Sequence, residues 1–347
     1  MPGFSSILTK GLSSADRVTV IGGSGFVGRH LVRRFAQTGA DVRVGVRDVE
    51  AAMFLKPYGD VGQIVPWQVD ISEPAQVKTA AHGANVVVNL VGILYERGEW
   101  TFARVHEEGA VNVAKAAAEA GAERFLHMSA LGADPESPAL YGRTKFAGEE
   151  AVKAVFPEAT IFRPSVIFGP EDNFFNMFAG MMRFLPALPV MGAPIIPEVS
   201  MGGADGFGIN WFGEGGCKFQ PVYVGDVAQA MFDSVSRLET CGETYELGGP
   251  QVYSFKELME LILRVTERKR LLMPMPLIVA SFEALLLQLL PKPLLTTDQV
   301  ALMERDNVLS GDAQGLIALD LQPTPAEAIL PTYLNRFRIP ARRKVDG

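Results

Sequence analysis

Tyr141 and Lys145 stand four residues apart in YGRTK, and Ser129 precedes the tyrosine by 12 residues. At that spacing a phenol and an ammonium share one face of a helix. Such a pair suits carbonyl reduction or alcohol oxidation, in which the phenol passes a proton to the carbonyl oxygen while a nicotinamide passes hydride to carbon. A free phenol ionises only near pH ~10, so a neighbouring cation is needed to favour its ionised form. Lys145 supplies that charge. Ser129 would orient the substrate oxygen, and Asn112 could relay protons. Taken alone, the pattern also fits a surface helix pair, and its weight comes from what stands upstream.

Upstream, Gly22-Gly23-Ser24-Gly25-Phe26-Val27-Gly28 lies between an apolar run and an amphipathic stretch. Glycines at this spacing let the backbone turn tightly and approach a pyrophosphate, and the last permits close helix–strand packing. The helix that comes next offers free N–H groups and the positive end of its dipole to the phosphates. The ribose is read about 20 residues further on, by an acid for NAD or a base for NADP. Here Val46-Arg47-Asp48 ends the second strand. Arg47 would pair bidentately with a 2′-phosphate, and Arg29 could add to it. These favour NADP(H), whereas Asp48 leaves NAD(H) open. Asp70 suits the adenine edge, or else opens a helix, since Ser72 and Glu73 follow.

These groups need a scaffold, and the sequence rhythm provides one. Arg17 to Ile21, Asp41 to Val46, Ile64 to Val69, Ala84 to Val91, Arg124 to Ser129 and a run from Thr160 read as strands. Between them, Val27, Leu31 and Phe35 recur at helical spacing, as do the alanine-rich Val105 to Ala120 and Tyr141 to Val155. Strands separated by helices of this length imply right-handed crossovers and a parallel sheet covered on both faces. The expected fold is α/β, a doubly wound (Rossmann) parallel sheet with a smaller, interleaved C-terminal lobe. The sheet domain is expected over 16–170 plus about 219–248, and the lobe over about 171–218 and 249–347. After Pro170 the rhythm breaks, and Met191 to Gly216 reads as a long loop. A strand is expected at Gln220 to Val224, then helices over Asp226 to Leu238 and Ser254 to Thr266.

The bulk numbers set limits. The chain has 347 residues, 48% apolar and 20% charged, enough for a real core. A net charge of −7 argues against nucleic acid as a partner. The tail is the local exception, with Arg336, Arg338, Arg342, Arg343 and Lys344, read as a solvated end or as a contact with anionic lipid or an acidic partner. Two cysteines, Cys217 and Cys241, build no disulfide framework and show no metal-ligand spacing, which points to a reducing compartment. The first residues lack the apolar core of a secretion signal; they read as a loose tail before the first strand or, being hydroxyl-rich with one acid, as an organelle-targeting segment. Leu271 to Leu295 raises a membrane question. Its uninterrupted stretch, Leu277 to Leu290, has 14 residues with Glu283 inside, and a spanning helix needs about 20. A buried helix is one reading; an interfacial helix against a bilayer or a membrane subunit is the other.

Together these residues resemble the extended short-chain dehydrogenase/reductase superfamily. Within it, the chain resembles the NADPH-binding accessory subunits of respiratory complex I (NADH:ubiquinone oxidoreductase). The likeness rests on residues 22–48, 86–94, 141–179, 219–230 and 271–286, with FPEATIFRPSVIFGPEDNFFN and QPVYVGDV as its more particular stretches. It implies a tightly held, structural NADPH on a peripheral arm near the membrane and the quinone site. It assigns the nucleotide to Gly22, Gly25, Gly28 and Arg47, and Ser24, Phe26, Arg29, Asp70, Leu90, Val91, Gly92, Tyr141, Lys145 and Pro164 are expected beside it. It implies complex I subunits as partners and a peripheral position on the cytoplasmic face of a bacterial inner membrane, or on the matrix side in a mitochondrion. It also sets the apolar segment after Leu271 toward membrane-proximal subunits. The stretch from about Pro194 to Gly216 is longer than the family needs. An intact Ser129, Tyr141 and Lys145 set leaves a second reading open, a free NAD(P)-dependent reductase, dehydrogenase or epimerase on a hydrophobic carbonyl, sugar or quinone. A third reading is a binding protein that reports the NADPH/NADP⁺ ratio.

Overall fold

The computed structural model describes residues 6–201, 207–291, 293–311 and 313–339. Seven strands pair in parallel: β1 (Arg17–Ile21), β2 (Asp41–Val46), β3 (Ile64–Gln68), β4 (Val86–Asn89), β5 (Arg124–Met128), β6 (Thr160–Pro164) and β7 (Thr244–Leu247). Their order across the sheet is β7-β6-β5-β4-β1-β2-β3. Val18, Val20, Val42, Val44 and Val86 to Val88 are all buried, as expected of strands covered on both faces. On one face, helix α1 (Phe26–Gln37) packs against α5 (Val224–Ser234), and Arg34 ties them by donating to Gln229 Oε1 and the Gly225 carbonyl. On the other, α2 (Pro74–Ala81), α3 (Gly109–Glu119) and α4 (Leu140–Val155) pack in turn. From β1 the chain winds outward to β2 and β3; from β4 it winds the other way. The crevice at this reversal, outside the carboxyl ends of β1 and β4, is where doubly wound sheets take ligands.

Arg124 on β5 is almost wholly buried. It donates to the hydroxyls of Thr160 and Thr240 and to the Ser234 carbonyl, and its guanidinium touches the Cys241 thiol. A buried charge persists only with such partners. Cys241 and Cys217 are both free thiols.

The structure divides into two compact units: 1–165 with 224–248 and 309–323, and 166–223 with 249–308 and 324–347. In the second, a cluster of aromatics (Phe168, Phe174, Phe175, Phe178, Phe219 and Phe255) meets edge-on around the helix Phe255–Thr266. A capping box starts that helix: Ser254 accepts from the Glu257 N–H, and the Glu257 carboxylate accepts from the Ser254 N–H. Tyr333 donates to the buried Asp172 carboxylate in the same unit.

Four sequence expectations need correcting. The helix expected over Val105 to Ala120 begins as a π turn, Ala103–Glu108, before α3. The strand expected at Gln220 to Val224 is broken at Pro221, which lacks an N–H. Lys218–Phe219 pairs with Tyr253–Ser254, while Val222–Tyr223 pairs with Ile167–Phe168. The long loop contains an antiparallel hairpin, Glu198–Met201 with Phe207–Asn210. Finally, Leu271 to Leu295 is no buried helix. Leu271–Met275 is a strand paired with Ala187–Met191, and the helix Leu277–Leu287 buries only Ala280 and Ala284. Phe282 is 67% exposed and Leu286 73%. Among the described residues no helix is long and apolar enough to cross a membrane.

Candidate functional site

At the end of β1 the chain turns at Gly22, whose φ of +83° suits glycine. A Cβ there would sit 3.1 Å from Val91 Cγ2. The Gly22 carbonyl accepts from the Gly25 N–H at 3.0 Å. A Cβ on Gly28 would lie 2.6 Å from the Gly22 carbonyl oxygen and the Gly23 backbone, so only glycine lets the helix start this close to the strand. No side chain caps the N-terminus of α1 at Gly25, and its first-turn amides with the helix dipole form an anion seat. Ser24 and Phe26 flank the turn, and Arg29 donates to the Ser24 and Gly25 carbonyls while stacking 4.9 Å over the Phe54 ring.

At the ribose edge, one oxygen of the Asp48 carboxylate accepts from the Ala51 N–H at 3.0 Å, just before the 3₁₀ helix Glu50–Tyr58. Arg47 is exposed, with its guanidinium 4.6 Å from the centre of the Trp100 ring. Asp70 Oδ1 accepts from the Ser72 backbone and hydroxyl, so that oxygen organises the turn before α2.

Beyond β4, Leu90 donates to the Ile21 carbonyl and Val91 to Asn89 Oδ1. Gly92 faces Lys145, because a Cβ there would be 3.0 Å from Nζ. Pro164 closes β6, and its carbonyl accepts from the Leu131 N–H. Lys145, 4% exposed, donates to the Met128 carbonyl at 3.2 Å. Ser129 continues from β5, and its N–H donates to the Phe162 carbonyl. Its buried hydroxyl has no hydrogen-bond partner among the described residues. A buried hydroxyl is costly to leave unpaired, and a bound carbonyl oxygen would satisfy it.

His106 and His127 belong to the same cluster and escaped the sequence reading. The His106 ring meets the Tyr141 ring edge-on at 5.2 Å and stacks on Phe102 at 5.3 Å. His106 Nε2 accepts from the Ile93 N–H, which leaves Nδ1 to donate to the Thr144 hydroxyl at 3.1 Å. Thr144 in turn donates to the Tyr141 carbonyl. His127, wholly buried, shares a hydrogen bond with Asn89. Burial pushes the His106 imidazole down to about 2 and that of His127 to about 3, with the Lys145 charge adding to both. The same burial pushes the Lys145 ammonium down to about 8, against the opposing pull of Glu149. Glu149 is itself held by Arg163 through a bidentate pair at 2.6 to 3.1 Å. The cluster therefore sets two neutral imidazoles around one amine whose charge burial disfavours, and perturbed groups of this kind gather at functional sites.

Asn112 is not part of this cluster. Its amide donates to the Ile71 carbonyl at 3.1 Å, toward the start of α2. At their spacing along the chain His106 and Asn112 do not share one helical face, and it is His106 that meets the tyrosine.

The NAD dependent epimerase/dehydratase family profile matches residues 18–248. The chain belongs to this family. Members bind a nicotinamide dinucleotide, which would supply hydride here, and the bare glycine turn, uncapped helix and unpaired Ser129 hydroxyl fit one. The chain is homologous to the mitochondrial NADH dehydrogenase [ubiquinone] 1 alpha subcomplex subunit 9 of Mus musculus, 35% identical over 332 residues that cover 94% of this chain and 82% of that protein. A ceramide reductase of Caulobacter vibrioides is 37% identical over 174 residues, covering 50% of this chain and 53% of that one. Thermus thermophilus UDP-glucose 4-epimerase, solved with NAD, shares the fold at 19% identity and a TM-score of 0.65, covering 92% of this chain and 98% of that one.

Proposed function

We propose that this chain is an NADP(H)-binding accessory subunit of respiratory complex I, with its nucleotide held as a structural clip. The likeness to the mouse subunit over nearly the whole chain carries this reading. A ligand bound only by the folded state stabilises that state, so an unconsumed dinucleotide has a physical role. For NADP over NAD, Arg47 meets no carboxylate among the described residues, whereas one Asp48 oxygen already accepts from the Ala51 N–H. The exposed apolar helix Leu277–Leu287, together with Arg183, Arg268, Lys269 and Arg270 in the same unit, suits an anionic membrane surface beside the complex. The subunit would then lie peripherally on the cytoplasmic face of a bacterial inner membrane, or on the matrix side in a mitochondrion. The test is a tagged chain at native expression level, resolved on a native gel with its nucleotide identified by mass spectrometry. We expect comigration with complex I and bound NADPH; a chain that never comigrates ends the proposal.

One observation favours a second reading, a reductase acting on a hydrophobic carbonyl. The chain carries Ser129, Tyr141 and Lys145, and the buried serine hydroxyl has no hydrogen-bond partner among the described residues. On that reading Tyr141→Phe abolishes turnover and NADPH exchanges within seconds. A nucleotide that survives prolonged dialysis, with no oxidation across a carbonyl panel, removes it.

A further inference from the structure

Strand β2 carries two arginines, Arg43 within it and Arg47 just past its end, and each lies over a tryptophan. Arg43 sits 4.7 Å from the centre of the Trp67 ring and also donates to the Ala80 and His82 carbonyls, so its guanidinium is consumed in holding the fold. Arg47 sits 4.6 Å over Trp100 and makes no hydrogen bond or ion pair among the described residues. An indole takes the face of a guanidinium, whereas phosphate oxygens take its edge, so the two can be held at once. Trp100 leaves the full in-plane fork of Arg47 available and restricts where it points.

The tryptophan is itself fixed. Residues Arg97 and Trp100 exchange two backbone hydrogen bonds, at 3.0 and 3.1 Å, across a tight turn with Gly98 at φ +57°. The Phe102 N–H donates to Glu96 Oε1 at 2.7 Å and closes the loop behind it. Arg104 lies 5.8 Å from the same indole and is paired with Glu99, so it is neutralised where Arg47 is not. The parallel sheet does not require this turn, which sets a half-buried indole beneath the arginine at the end of β2.

We propose that Trp100 is a specificity-determining residue, which positions Arg47 for the 2′-phosphate and so sets the preference for NADP(H) over NAD(H). The inference rests on the reading that this site takes NADP(H). An arginine left free on a strand end samples many rotamers and must lose them on binding; one already stacked loses fewer. The gain applies only to a nucleotide that carries the 2′-phosphate.

The test is calorimetric titration of the full chain with NADPH and with NADH, in wild type, Trp100→Leu and Trp100→Phe. Leucine keeps apolar bulk without the π face, and phenylalanine restores a weaker one. We expect wild type to prefer NADPH, the leucine variant to raise the NADPH Kd by roughly 5- to 30-fold with the NADH Kd changed less than about 2-fold, and phenylalanine to fall between. Equal weakening of both nucleotides marks a merely structural residue and overturns the proposal, as does an unchanged NADPH Kd. A wild-type chain that shows no preference for NADPH overturns the cofactor reading and this inference together. A wild-type preference that Trp100→Leu leaves intact overturns this inference alone.

Discussion

Lys145 reaches the pocket through burial, and burial works against its charge. Its ammonium titrates at about 8, well below the ordinary 10.5. Between those two values the unfolded chain holds more protons, so stability rises with pH across that window and is lowest below it. We therefore expect Lys145→Met to stabilise the nucleotide-free chain at pH 7 by about 1–3 kcal/mol. The gain should fade as pH approaches 10.5, while NADPH binding weakens. Urea unfolding at pH 7 and 10 checks this, and a variant less stable at pH 7 refutes it. The imidazoles act in the opposite range. His106 and His127 stay neutral in the fold and become charged in the unfolded chain below an ordinary value of 6.5. Stability should fall as pH drops from there toward about 3, by about 1–2 kcal/mol per imidazole at pH 5. Equal unfolding free energies at pH 5 and 7 would contradict the assignment.

At the scale of elements, the strand–turn–helix from Arg17 to Gln37 depends on how closely α1 approaches β1. A methyl group at Gly28 meets backbone at 2.6 Å, which cannot yield, whereas one at Gly25 meets the Gly22 carbonyl oxygen at 3.1 Å. We expect Gly28→Ala to cost about 1–3 kcal/mol and to abolish nucleotide binding, with Gly25→Ala the milder change. Thermal melts and NADPH titration of the two variants decide it; reversal of that order would mean the turn is held by other contacts. This element was legible beforehand because its signals are local: a β-branched run, glycines at fixed spacing, then apolar residues at helical spacing. His106 was not, since it lies 35 residues before Tyr141 with no spacing rule to link them. The packing of α4 against the segment Ala103–Glu108 brings the two rings together.

For the whole molecule, the unpaired feature is the apolar face of Leu277–Leu287. Phe282 and Leu286 are among its most exposed side chains. We expect Phe282→Ser with Leu286→Ser to release the chain from anionic vesicles in a flotation assay while leaving its NADPH affinity unchanged. Retention of the doubly substituted chain on the vesicles would assign the face to another role. The sequence leaves the segment open between a buried and an interfacial helix because hydropathy records how much apolar surface a helix carries, and not whether another element covers it.

The amino-acid order alone determined the alternation of strands and helices, the glycine turn, the Ser129, Tyr141 and Lys145 set and the arginine at the end of β2. Each depends on neighbours within a turn or two, or on a periodicity that a helix or strand enforces. The tertiary structure decided which groups share an environment. It placed two histidines beside the lysine and sent Asn112 to the Ile71 carbonyl. It paired Asp48 with the Ala51 N–H, set Trp100 under Arg47 and left the Leu277–Leu287 face uncovered among the described residues. The reason is physical: burial, pairing and pKa depend on distances in space between residues far apart in the chain, and those distances exist only once the sheet and its helices have packed.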